Sequence, residues 1–178
     1  MATPTKEFMD HLREREGYKS EVYLDTSNRP TVGVGHLLTA EEIKKYPVGT
    51  TIDKEQLALW LEMDSSVAYN AGLAQAKEAG ISDQGMIEAL ASVNYQLGRS
   101  WGTKKTKFPK AWKAIKDGDY IEAVKQIKEN SSGGKSDWYD ETPTRVEDFA
   151  KALNAYGKKV KPQDYALQQM INEDNTFA

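Results

Sequence analysis

Between Tyr18 and Leu37 the chain stops repeating like a helix and starts repeating like a strand, and this break constrains the fold most. Tyr18, Ser20, Val22 and Leu24 alternate with Lys19, Glu21, Tyr23 and Asp25. The run Asp25-Thr26-Ser27-Asn28-Arg29-Pro30 is turn chemistry, and Thr31 to Leu37 alternates again. The segment therefore reads as a small β-hairpin. Helix signals stand on both sides of it, so the expected class is α+β: a helix, a hairpin, then a helical lobe reached through a long helix.

The helix signals are mostly end signals. Thr3 before Pro4 reads as an N-cap with proline at the first helical position. The segment to about Glu14 sets Phe8 and Leu12 on one face, and Glu16 continues that line at spacing four. Thr39-Ala40-Glu41-Glu42 is a capping box opening a short helix that Pro47 and Gly49 close. Asp53 caps a long helix ending near Gly80, with Leu57, Leu61, Asp64, Ala68 and Ala71 on one face. Ser82 caps the next helix and Gly98 ends it. Shorter helices are expected at about 109–117 and 119–130, and Ser131-Ser132-Gly133-Gly134-Lys135 as a flexible loop. Thr142-Pro143 restarts a helix that Gly157 stops, and Pro162 begins a last one.

A length of 178 residues suits one domain, and no repeat or inter-domain linker interrupts it. A net charge of −3 gives no pull on nucleic acid, and none is expected as a partner. There is no cysteine, so thiolate metal sites are excluded. Two histidines without an HExxH spacing leave no zinc signal, and no cofactor motif is present. The start of the chain lacks an apolar signal core and no run could span a bilayer, so the expectation is synthesis in the cytoplasm without stable membrane insertion.

Cleaving a glycosidic bond needs one protonated carboxyl group and one ionised carboxylate. Glu16, at the end of the first helix on its apolar face, is expected to be part-buried. The negative end of the helix dipole also disfavours its charge. Asp25 sits in a polar turn, where ionisation is cheap. This is the difference of environment that an acid and a base require. Among 27 acidic residues, a surface Glu and an Asx-turn Asp explain the same pattern.

The flanking residues add to this. Glu16-Gly17-Tyr18, then Tyr23-Leu24-Asp25-Thr26, then Thr31-Val32-Gly33-Val34-Gly35-His36-Leu37-Leu38-Thr39 closely resembles the catalytic signature of phage-type lysozymes, glycoside hydrolase family 24. Asn94-Tyr95-Gln96-Leu97-Gly98 and Trp138-Tyr139-Asp140-Glu141-Thr142-Pro143-Thr144-Arg145 resemble two later family blocks, in the family's order.

The resemblance implies a lysozyme-like architecture with a hairpin or three-stranded sheet in the N-terminal lobe (about 16–53). A connecting helix (about 53–79) and a helical lobe (about 81–178 plus residues 1–14) would complete it. It implies Glu16 as general acid, Asp25 as the group that positions or activates water, and Thr31 as the holder of that water. Gln96 and Thr142 would line the saccharide cleft, and Arg145 would pair with the Glu16 region. The implied activity is a muramidase acting on peptidoglycan glycan strands as a monomer. Its route to the wall would be a holin, for a host-cytoplasmic endolysin, or a virion that carries it. The alternative is a saccharide-binding or structural module of the same fold without turnover.

Alternation along the second strand puts Thr31, Gly33 and Gly35 on one face and Val32, Val34 and His36 on the other. Thr31 and Gly35 would then face the saccharide, the glycines clearing space for it. The glycines serve equally well to relieve crowding or permit a bulge. His36 reads as a core histidine, and Asp64, on the apolar face of the long helix, as its ion-pair partner. Lys104, Lys105, Lys107, Lys110 and Lys113, interleaved with Trp101, Phe108 and Trp112, read as a solvated face over core aromatics, with an anionic wall polymer or lipid as the alternative. Trp60 and Trp138 are expected in the core. Residues 157–178 lie beyond the last matching block, as an added packing helix or a partner-binding tail.

Overall fold

The computed structural model describes residues 2–103, 108–130 and 132–176. The chain divides into two compact units, Met1–Asn70 and Ala71–Ala178, and the boundary falls inside the longest helix.

In the first unit, α1 spans Lys6–Glu16. Its cap is Thr5, not Thr3: the Thr5 hydroxyl accepts the Phe8 N–H at 3.1 Å, and Pro4 lies buried before the helix begins. Phe8 and Leu12 are its buried residues, and the Phe8 ring sits 5.8 Å from that of Tyr69. Three antiparallel strands follow in sheet order β1-β2-β3: β1 Lys19–Leu24, β2 Pro30–Gly33 and β3 His36–Leu37. The alternating run from Thr31 to Leu37 is thus two strands, not one. Val32 pairs with His36, and the chain reverses between them through Gly33 and Gly35, which take φ of 65° and 79°. That left-handed backbone suits glycine, and it explains both residues without a ligand. Across β1–β2, Tyr23 pairs with Thr31, and a register shift separates that pair from Lys19–Gly33.

Residues 49–52 run beside β1, with Ile52 N–H donating to the Ser20 carbonyl at 2.8 Å. Helix α2, Ala40–Lys45, opens with the full Thr39/Glu42 capping box. Asp53 then caps α3, Lys54–Glu78, by accepting the Gln56 N–H at 2.7 Å. Val22, Val32, Leu38, Ile52, Leu57 and Trp60 form the core under the sheet. Each such side chain contributes about 1.5–3 kcal/mol relative to exposure.

In the second unit, α4 (Gln84–Leu97) is capped by Asp83, not Ser82. It ends at Gly98, whose φ is 83°. Helices α5 (Pro109–Asp117) and α6 (Tyr120–Lys128) turn on the left-handed Gly118. A short α7, Asp137–Glu141, capped by Ser136, precedes α8, Pro143–Val160. Helix α8 runs through Gly157 instead of stopping there. A Cβ at Gly157 would lie 2.3 Å from the Tyr165 hydroxyl oxygen, so this glycine admits α9 (Pro162–Thr176) at close range.

Trp101, Phe108, Trp112, Trp138 and Phe149 form an aromatic core. The aromatics of the lysine-rich run therefore pack inward, while Lys110 and Lys113 are exposed. Lys104, Lys105 and Lys107 lie outside the described residues, as does Ser131. The rest of that glycine loop is tied down by Asn130, whose side chain accepts the Ser132 and Gly134 N–H groups and donates to the Lys135 carbonyl. Among the described residues, no helix is long and apolar enough to cross a membrane.

Candidate active site

Glu16 is the last residue of α1, and it is exposed, not part-buried. The apolar face that carries Phe8 and Leu12 ends one turn earlier, and Gly17, at φ 74°, turns the chain away. Arg13 and Arg15 lie in the same last turn.

Asp25 follows β1 directly and organises the β1–β2 connection. Oδ1 accepts the N–H of Ser27 at 2.8 Å and of Arg29 at 2.9 Å. Oδ2 accepts Arg29 Nε at 2.9 Å and faces Arg29 Nη2 at 2.8 Å. The backbone closes the same loop, with Asp25 N–H donating to the Arg29 carbonyl at 3.0 Å and Asn28 at φ 61°. The Arg29 N–H does most to hold the Asp25 carboxyl below the usual range. The Arg29 guanidinium and the Ser27 N–H add to it, outweighing partial desolvation. The Asx-turn and the ionised-carboxylate readings of Asp25 thus coincide.

Thr31, on β2, is buried, and its hydroxyl donates to the Arg29 carbonyl at 3.0 Å. Its oxygen keeps acceptor capacity. Asp25, Arg29 and Thr31 are therefore one connected group. Gly35 belongs to the β2–β3 connection and not to a strand face; a Cβ there would meet nothing within 4 Å.

In the second unit, Gln96 and Thr142 do come together. Gln96 Nε2 donates to the Thr142 hydroxyl at 3.0 Å, and Gln96 Oε1 accepts Trp138 Nε1–H at 3.0 Å. The Thr142 hydroxyl donates to the Trp138 carbonyl at 3.2 Å. Both ends of the Gln96 amide are thereby fixed by a buried indole and a helix cap. Arg145, on α8, is buried and donates from Nη1 to the Ser92 hydroxyl on α4 at 2.9 Å.

His36 has the partner expected of it. Nδ1 lies 2.8 Å from Asp64 Oδ2, and the ring stacks on Trp60 at 4.5 Å between centroids. Nε2 stands 3.5 Å from Glu42 Oε2, an ionic contact too long for a well-formed hydrogen bond. Burial disfavours the imidazolium, but Asp64 and then Glu42 outweigh it and raise the His36 pKa. Burial also pushes Glu42 up; hydrogen bonds from Thr39, the His36 charge and the Trp60 indole N–H bring it below the usual range.

Sequence reasoning missed two of these groups. Arg29 could have been found, because a cation four residues past an Asx-turn aspartate is in reach of it. Glu42 could not, because its capping role hides its second contact.

A small three-stranded antiparallel sheet in a predominantly helical chain, with Glu16, Asp25 and Thr31 spaced as they are, defines a lysozyme-like α+β protein. The phage lysozyme family model matches residues 13–139, and the chain belongs to that family. It is 32% identical over 144 residues to a peptidoglycan hydrolase of Pseudomonas phage phiKMV, a match covering 80% of this chain and 14% of that protein. It is 30% identical over 159 residues to the protein named "Probable T4-type lysozyme 2" from Dictyostelium discoideum, covering 76% of this chain and 86% of that one. The chain thus spans a small part of the first relative and most of the second.

Proposed function

We propose that this chain hydrolyses bacterial peptidoglycan, and that it does so as a muramidase, at the β-1,4 bond between N-acetylmuramic acid and N-acetylglucosamine. The observation that carries the reading is Asp25. Four donors hold this carboxylate, nine residues after Glu16 and six before Thr31, inside the span that matches the family.

A group so held stays ionised across the neutral range and can orient or activate water. Thr31 has spent its hydroxyl proton on a backbone carbonyl, so its oxygen is left to accept a hydrogen bond from that water. Glu16, at the C-terminus of α1 where the helix dipole disfavours its charged form, supplies the proton for the leaving sugar oxygen. Within the second unit, the Gln96 amide, oriented by Trp138 and Thr142, is offered to saccharide in this reading. The names of the two relatives support the wall substrate. Delivery to the wall by a holin-type partner or by a virion belongs to the same proposal.

The test is to digest purified cell walls and identify the new chain ends by mass spectrometry. Reducing N-acetylmuramic acid ends are expected, and Glu16→Gln should release none. Reducing N-acetylglucosamine ends, or 1,6-anhydro ends, would replace the muramidase assignment. Equal release by Glu16→Gln would remove Glu16 from the chemistry. Binding of walls with no release by the wild type would favour the saccharide-binding module.

A further inference from the structure

We infer that Arg29 restrains Asp25: its guanidinium occupies Oδ2 and competes with water for the oxygen that activates it. The inference rests on the reading of Asp25 given above.

An ionised carboxylate offers about four lone-pair directions. Here two backbone N–H groups fill Oδ1, and Nε and Nη2 of Arg29 fill Oδ2. One residue supplies three of the four donors, because the N–H of Arg29 binds the same carboxylate as its guanidinium. The loop explains why. Asn28 at φ 61° turns the chain so that the Arg29 amide points back at Asp25, and the Arg29 carbonyl pairs with the Asp25 N–H. The side chain therefore starts from an anchored backbone and loses less freedom in closing on Oδ2 than a distant arginine would.

The two halves of the clamp differ in permanence. The backbone donors on Oδ1 are part of the turn. The guanidinium on Oδ2 is at the solvent edge, with the Arg29 side chain 58% exposed against 18% for Asp25. A water that approaches Asp25 in the carboxylate plane has to take a place from Arg29, and the exposed partner is the one that yields. Thr31 lies on the same feature, its hydroxyl bonded to the Arg29 carbonyl. The Arg29 backbone therefore positions Thr31 while its side chain occupies Asp25.

The clamp acts in opposite directions at different pH. By favouring the carboxylate it extends the active range downward. By filling Oδ2 it lowers the share of Asp25 that can hold water at any pH where the group is already ionised.

The experiment compares Arg29→Gln and Arg29→Lys with the wild type, following the clearing rate of purified cell walls from pH 4 to 9. The carboxyl carbon of Asp25 is titrated by NMR in the same proteins, and thermal melts establish that each is folded. For Arg29→Gln the acid limb and the Asp25 titration should both move up, while the plateau rate rises above the wild type because Oδ2 is freed for water; an unchanged plateau would mean that Arg29 does not compete with water. Arg29→Lys keeps the charge with a single ammonium, and its acid limb should fall between the two. Equal-fold loss at every pH, or an acid limb that stays put while Asp25 titrates higher, would overturn the inference. Failure of the underlying reading looks different: Asp25→Asn would clear walls at the wild-type rate. In that case the inference falls with it, even where the NMR titration moves as expected.

Discussion

His36 Nδ1 lies 2.8 Å from Asp64 Oδ2, an ion pair that fastens the two-residue strand β3 to the long helix α3 within the first unit. It raises the His36 pKa against the opposing effect of burial. A raised folded-state value gives a contribution that is complete below the unfolded imidazole pKa and fades as pH rises through the folded one. Asp64→Asn should therefore destabilise most near pH 5, by about 1 kcal/mol because Asp64 is part-exposed. The penalty should shrink toward pH 9. Urea melts at the two pH values check this. The His36 titration, followed by NMR, should move down but not fully back, because Glu42 remains 3.5 Å from Nε2. An unmoved titration contradicts the pair.

Gly35 tests whether the β2–β3 glycines serve the backbone. Its φ is 79° and an added Cβ would touch nothing within 4 Å, so any cost of substitution is conformational and not steric. Gly35→Ala should cost about 1–2 kcal/mol, and Gly35→Asn distinctly less, since asparagine tolerates left-handed backbone. Equal losses in chemical denaturation would mean that something other than the turn selects glycine here.

What the sequence made legible is local. Thr39 and Glu42 find each other within one helical turn, Asp53 reaches an amide three residues on, and Pro109, Pro143 and Pro162 open their helices where proline is tolerated. The failures are tertiary. Gly157 looks like a stop, but its reason is Tyr165 on the next helix. Glu16 continues the spacing of Phe8 and Leu12, yet the helix ends before anything covers it. Thr31 to Leu37 alternates in sequence, but its two glycines take left-handed conformations and fold the run in half. Asp25 was legible as an ionised carboxylate in a polar turn. The reach of Arg29 to it, four residues on, was legible too; that its N–H and guanidinium both close on the one carboxylate rests on the left-handed Asn28.

Gly72 gives a steric counterpart to Gly35. A Cβ at Gly72, on α3, would lie 2.7 Å from the Ala91 nitrogen and 2.9 Å from the Ile87 carbonyl oxygen, both backbone atoms of α4. No rotamer change relieves such a contact, so the two helices must separate. Alanine is the better helix former by about 1 kcal/mol. Gly72→Ala should nonetheless lower stability, by about 1–3 kcal/mol. The thermal melt decides it, since local propensity alone predicts a rise.

The Gln96–Trp138–Thr142 group is suited to a double-mutant cycle. Trp138 is 2% exposed, and its indole N–H has Gln96 Oε1 as acceptor. Gln96→Leu takes that acceptor away and leaves a buried donor unpaired, at a cost of about 1–3 kcal/mol. Trp138→Phe removes the donor as well as ring volume, so it destabilises on its own. Once the donor is gone, the second substitution no longer strands it. The double variant should therefore be more stable than the sum of the two single losses predicts, by about 1 kcal/mol. Strict additivity would mean that Gln96 is held for its contact with Thr142 alone. The amide that the functional reading offers to saccharide would then be oriented by one partner instead of two.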